Sequence, residues 1–134
     1  MQSIALPHAS NALRALGRCG APVKSGIFGD GKELAHIALA KVSKNGDWPS
    51  GYYHNQPFML ATGLMTVKQF FAQLYADPSL EKEPMTAGRQ MNGHYATRWL
   101  DWYGNRTSVS ETKNSSADMS PTAGQMPRLL GLAL

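Results

Sequence analysis

The sequence predicts an α/β chain that is mostly helical, carries one or two short strands, and forms the front part of a longer folding unit. Three observations lead there. Between residues 32 and 76, apolar side chains recur at three- and four-residue spacing in three runs, each bounded by turn or capping residues. A single small, polar stretch, Asn114-Ser115-Ser116-Ala117-Asp118-Met119, has the character of an extended segment. The last run, Arg128-Leu129-Leu130-Gly131-Leu132-Ala133-Leu134, is most apolar in its final turn with no Gly, Asn or Pro stop after it, so it reads as leading into more core.

The first predicted helix covers 32–43, with Leu34, Ile37, Ala38 and Val42 on one stripe and Asn45-Gly46-Asp47 as its stop. Trp48-Pro49-Ser50-Gly51 is a turn, and a second helix is expected over 53–64. Thr66 is a good N-cap for a third helix over 67–76, with Phe70, Phe71, Leu74 and Tyr75 on its buried face. Asp77-Pro78 ends it. Residues 84–113 form a long irregular segment, a pattern that is usually functional or interfacial. Ser120 followed by Pro121 reads as N-cap and first position of a terminal helix. Free N–H groups at such a start suit an anionic group such as a phosphate. Residues 1–30, punctuated by glycine and proline, read as an arm; residues 31–134 form the domain proper.

Composition narrows the function classes. With 134 residues and 43% hydrophobic content, the chain can bury a core of its own. Charged residues make up only 16%, which favours a surface partly hidden against partners. The net charge of +4 is spread rather than clustered, so a nucleic-acid partner is not expected. Cys19 stands alone, which excludes an internal disulfide framework and fits the reducing cytoplasm. No secretory leader and no run long enough for a bilayer is evident.

Several stretches hold chemistry-bearing groups. Gly29-Asp30-Gly31 has the look of a metal–diphosphate motif, but Asn45 follows only fourteen positions later and no apolar run precedes it; a turn into the first helix explains it better. The histidines His8, His36, His54 and His94 show no metal-ligand spacing, so no metal site is expected within the chain. No Gly-x-Ser-x-Gly pattern marks a nucleophile. Gly51-Tyr52-Tyr53-His54-Asn55-Gln56 gathers aromatics, an imidazole and amides at a turn; such a set either hydrogen-bonds a phosphate or simply packs. Gly88-Arg89-Gln90-Met91-Asn92-Gly93-His94-Tyr95 joins two glycines to a cation, amides and a histidine, which is rich for a plain loop.

In this order, these stretches resemble the alpha part of the thiamine diphosphate-dependent 2-oxo acid dehydrogenase E1 components, in the branched-chain (2-oxoisovalerate) type, including forms with alpha and beta parts fused. The resemblance runs over residues 27–134. It rests on Gly31-Lys32-Glu33, Ser50-Gly51-Tyr52-Tyr53, Phe70-Phe71-Ala72-Gln73-Leu74-Tyr75-Ala76, Gly88-Arg89-Gln90-Met91 with His94-Tyr95, and Ser115-Ser116-Ala117 through Ser120-Pro121 to Gln125-Met126-Pro127.

The resemblance implies the N-terminal portion of a thiamine diphosphate-binding fold, with thiamine diphosphate and magnesium as cofactors. It implies oxidative decarboxylation of a 2-oxo acid and acyl transfer to a lipoyl carrier. The implied partners are an E1 beta part, a second alpha part and a lipoyl-bearing E2. Tyr53 matches the tyrosine of a Tyr-Arg pair that contacts the diphosphate, and His54 stands where the arginine is expected. Arginine is always charged and forks onto phosphate with two donors, whereas histidine offers one, so this exchange weakens diphosphate binding. Ser120 and Thr122 match cofactor-holding positions, and His94 matches a histidine at the active-site mouth, the candidate catalytic group. Gln125 matches a position near a potassium site whose polar neighbours are here Met119 and Gly124. The family's magnesium-binding Gly-Asp-Gly…Asn element follows the terminal helix and is absent from this sequence, so the chain alone is expected to be inactive. A truncated, non-catalytic assembly piece is the alternative reading.

Overall fold

A three-segment seam runs through the centre of the computed structural model, which describes residues 29, 31–91 and 93–134. The arm expected over 1–30, with His8, Cys19 and Asp30, lies outside the described residues apart from Gly29. Residues 114–119 form the middle of the seam. On one side Ser116 N–H donates to the Pro49 carbonyl at 3.1 Å, and Met119 bridges Tyr52 in parallel sense. On the other, Thr97 N–H donates to Ser115 O and Asp118 N–H to Tyr95 O, both at 2.9 Å, in antiparallel sense. Asn114, Ser115 and Ser116 are buried. Their side chains bond carbonyls close by: Asn114 Nδ2 to Val109 O at 2.7 Å, Ser116 Oγ to Pro49 O at 3.0 Å. Small polar residues occur here because flanking backbone closes in on both sides and each buried polar group still needs a partner.

Four helices are present among the described residues: α1 (Glu33–Val42), α2 (Gln56–Thr62), α3 (Val67–Leu74) and α4 (Gln125–Ala133). In α1, Glu33 in the first turn and Lys41 in the last complement the helix dipole. Its expected apolar stripe is not buried: Leu34 is 83% and Val42 69% exposed, and Ala40 alone reaches the core. Helix α1 packs on α2 through this narrow contact, while Lys113 Nζ reaches across to the Ala40 carbonyl.

The second helix opens at Gln56 rather than near Tyr53, with Pro57 in its first turn and Gly63 closing it at φ 77°. Tyr53 and His54 therefore lie in the turn before the helix. Helix α3 starts as expected. Thr66 Oγ1 accepts from Gln69 N–H at 3.2 Å, and Gln69 Oε1 accepts from Thr66 N–H at 2.9 Å, a reciprocal cap. Its inward face is Phe70, Gln73 and Leu74, so a glutamine takes the place expected for Tyr75. The core joins α1, α2, α3 and the seam: Ala40, Phe58, Met59, Met65, Phe70, Leu74 and Tyr95.

The terminal helix departs most from expectation. It begins at Gln125, not at Pro121, and Gly124 stands at its N-cap. Ala123 takes φ 66°, a left-handed conformation that cannot continue a right-handed helix, and residues 121–124 form a turn instead. No residue of α4 is buried; Met126, Leu129, Leu130, Leu132 and Leu134 all face solvent. Ser50 Oγ holds its first turn through the Gln125 carbonyl at 3.1 Å. No helix among the described residues is long and apolar enough to cross a membrane.

Candidate functional site

Residues predicted from separate stretches come together beside the seam. The Tyr52–Met119 bridge puts the turn carrying Tyr53 and His54 next to the residue before Ser120. The rings of Tyr52, Tyr53 and His54 form one cluster, with centroids 4.8 Å, 4.5 Å and 5.2 Å apart for the pairs Tyr52–Tyr53, Tyr53–His54 and Tyr52–His54. Lys32 Nζ donates to Tyr52 Oη at 3.2 Å and brings a positive charge to this cluster.

The segment leading to His94 approaches from the other side. At Gly93, φ is 94° and a Cβ would sit 2.5 Å from the Tyr53 carbonyl oxygen, so only glycine lets the two backbones meet. Gln73 secures this approach. It is buried on α3, its Oε1 accepts from Gly93 N–H at 2.9 Å, and its Nε2 donates to the His94 carbonyl at 3.0 Å. One side-chain amide thus satisfies a donor and an acceptor of the same backbone segment, which holds the His94 main chain against the core.

The imidazole of His94 then reaches Ser120. Its Nδ1 lies 2.9 Å from the Met91 carbonyl oxygen and its Nε2 lies 2.6 Å from Ser120 Oγ. A carbonyl oxygen only accepts, so Nδ1 carries a hydrogen. In the neutral ring Nε2 is then the acceptor, and the Ser120 hydroxyl donates to it. His94 is half-buried while Ser120 is exposed. Thr122 follows on the same exposed turn. The N-terminal end of a helix expected at Ser120 is not there, because the turn at 121–124 intervenes before α4.

Behind this surface sits a polar cluster. Asp118 Oδ2 accepts from Tyr95 N–H at 3.2 Å. Asp118 Oδ1 and Asn55 Nδ2 both lie over Gly51, 2.6 Å and 2.4 Å from where a Cβ would stand. Burial pushes the Asp118 carboxyl up to about 8, with the Tyr95 N–H, the Arg128 charge and the Asn55 amide pulling the other way. The surroundings therefore favour the protonated acid well beyond an ordinary aspartate. The hydroxyl of Tyr95 is buried without a hydrogen-bond partner among the described residues, and burial with the charges of Asp118 and Glu83 raises its pKa.

Of the residues singled out from sequence, His94 bonds Ser120 directly, the turn of Tyr53 and His54 lies near them through the Tyr52–Met119 bridge and the approach of Gly93 to the Tyr53 carbonyl, and Thr122 follows Ser120 on the exposed turn. Gln73, Asp118 and Lys32 were not singled out as site residues, and Asn55 was noted only as one of the amides of the 51–56 stretch. For Gln73 a signal existed: a polar residue between Phe70 and Leu74 interrupts the apolar face of its helix. For Asp118 there was none, since its surroundings come from Gly51, Asn55, Tyr95 and Arg128, all distant in sequence. Among the described residues no group of three or more His, Cys, Asp and Glu is placed to hold a metal ion. No protein-family model, curated protein or solved structure matches this chain.

Proposed function

We propose that this chain is the front part of an alpha-type E1 component of a 2-oxo acid dehydrogenase, and that the face built by Tyr53, His54, Ser120 and Thr122 lies toward the charged tail of thiamine diphosphate. The observation that carries the reading is the convergence of the Tyr53–His54 turn with Ser120 through His94. The donor set fits an anionic group: Lys32 Nζ on Tyr52 Oη supplies positive charge, and the turn and Ser120 supply neutral hydrogen-bonding groups. The fit is to a weakly held anion, because α4 starts too late to add its amide groups and His54 replaces a forked guanidinium. When bound, thiamine diphosphate supplies the carbanion that attacks the keto carbon of a 2-oxo acid.

In this reading His94 is the pocket group, oriented by Met91 O through Nδ1 and held at its main chain by Gln73. Magnesium ligands, the glutamate that activates the cofactor and the substrate-handling loops are contributed from outside these residues, by the rest of an alpha part and by a beta part. A lipoyl-bearing E2 takes the acyl group, and the setting is the cytoplasm. The exposed apolar side of α4 favours the second reading, an assembly piece that completes a partner's fold without catalysis of its own.

Titration calorimetry with thiamine diphosphate and magnesium tests the cofactor reading. The isolated chain is expected to bind more weakly than micromolar. His54→Arg is expected to tighten binding about tenfold, and Ser120→Ala to weaken it. Heats that are identical for the native chain and both variants would remove the diphosphate assignment.

A further inference from the structure

The contact between His94 and Ser120 has the form of a nucleophile with its base. The hydroxyl oxygen stands 2.6 Å from Nε2, and the opposite ring nitrogen is fixed at 2.9 Å by the Met91 carbonyl, so the ring presents its lone pair to the serine. Three features separate this pair from an ordinary surface hydrogen bond. The Nδ1 partner can only accept, which selects one neutral tautomer. The main chain of His94 is held by buried Gln73 from α3, so the imidazole is carried by the core rather than by a free loop. Ser120 is exposed on a tight turn, where Gly124 N–H returns to Pro121 O at 3.0 Å. On that turn the N–H groups of Thr122 and Ala123 make no backbone hydrogen bond among the described residues.

We propose that Ser120 is an acyl-accepting nucleophile with His94 as its general base, acting on small carboxylic esters. This activity goes beyond the cofactor reading and does not rest on it. In the first step the Ser120 hydroxyl proton passes to His94 Nε2 while Oγ forms a bond to the ester carbonyl carbon. The tetrahedral adduct then breaks its bond to the alcohol oxygen, which leaves with the proton from Nε2. In the second step water gives a proton to Nε2 and its oxygen attacks the acyl carbon. The acid is released and Oγ recovers its proton. No oxidant or further reactant is needed.

The test uses the full chain without thiamine diphosphate. It is incubated with an alkyl fluorophosphonate, whose phosphorus forms a bond to Oγ as fluoride leaves and the hydroxyl proton moves to His94. Intact mass and peptide mapping are expected to show one label, at Ser120. Ser120→Ala removes a side chain that bears no core contact and is expected to abolish the label. His94→Gln keeps the serine and the main-chain hold of Gln73, and is expected to slow labelling by about a hundredfold or more. Hydrolysis of p-nitrophenyl acetate should lose its Ser120-dependent part in both variants. A native chain that takes no label, a label mapped elsewhere, or a His94→Gln chain that labels at the native rate would overturn the proposal. Because each readout omits the cofactor, these failures are distinct from a failure of the diphosphate assignment.

Discussion

Glu83 and Asp118 are both carboxylates drawn in from solvent, and their surroundings push their protonation in opposite directions. Glu83, 1% exposed, accepts from Met85 N–H at 2.9 Å, Thr86 N–H at 2.8 Å, Thr86 Oγ1 at 2.6 Å and Gly88 N–H at 3.0 Å. Burial works to raise its pKa, but the Thr86 hydroxyl and the Gly88, Thr86 and Met85 amides outweigh it and hold the group below the usual glutamate range. Asp118 has one backbone donor, and its Oδ1 makes no well-formed hydrogen bond among the described residues although the Asn55 amide is near; burial prevails and the group rises to about 8. The contrast teaches that desolvation alone does not set the charge of a buried acid. The count of aligned donors decides it.

The largest expected effect is at Glu83. Glu83→Gln replaces a four-bond acceptor with an amide that has one carbonyl oxygen and an unwanted donor. Urea unfolding at pH 7 should show a loss on the order of 2–4 kcal/mol. The native chain carries the same information in its acid limb. Because the folded pKa lies below the unfolded one, the contribution of Glu83 is present above the ordinary glutamate range and is lost as pH falls through the folded value. A Glu83→Gln chain as stable as the native one at pH 7 would mean that the donors do not hold the carboxylate.

Asp118 should behave in the opposite sense. Between its unfolded value of 3.8 and its folded value of about 8, the folded chain holds the proton that the unfolded chain has released. Its contribution to stability therefore falls as pH rises through that window. Asp118→Asn keeps the shape without the charge, so it should flatten this slope and gain stability relative to the native chain at pH 8, on the order of 2 kcal/mol. Unfolding curves taken from pH 5 to 8 that stay parallel for the two chains would place the Asp118 carboxylate in better solvent than its burial indicates.

The smallest effect is expected between them, at Tyr95. Its hydroxyl is buried without a partner among the described residues, so Tyr95→Phe removes an unsatisfied group while the ring keeps its place in the core. Thermal unfolding should shift slightly upward, by the equivalent of about 1 kcal/mol or less. A marked loss would show that the hydroxyl is bonded in solution, and would bring Asp118 and Glu83 into one network rather than two separate sites.

Parts of the fold were legible from local chemistry. The N-cap at Thr66 and the extended character of 114–119 depend on neighbours within a few residues. Burial of α1 was not legible. Its spacing showed which face was apolar, but not that the chain would cover only Ala40 and leave Leu34 and Val42 outside. The terminal helix failed for a more local reason: Ser120-Pro121 is a good helix start, yet Ala123 at φ 66° delays it to Gln125. Of the candidate site residues the structure joins His94 to Ser120 and brings the Tyr53–His54 turn near them. The internal order of the site was not legible, since the pair His94–Ser120 spans 26 positions and is held by Gln73, 21 positions from the carbonyl it bonds.

By itself the sequence determined which stretches between 32 and 76 form helices, which stretch is extended, and which hydroxyl, imidazole and amide groups are available for chemistry. These follow from capping, backbone preference and side-chain type, which act over a turn or two of chain. Only the tertiary structure decided that His94 turns its Nε2 to Ser120, that Gln73 carries the segment behind it, and that Asp118 is pushed toward its protonated form while Glu83 is held toward its charged form. Those outcomes depend on desolvation and on donors brought from distant parts of the chain, and both exist only once the seam and helices have closed around them.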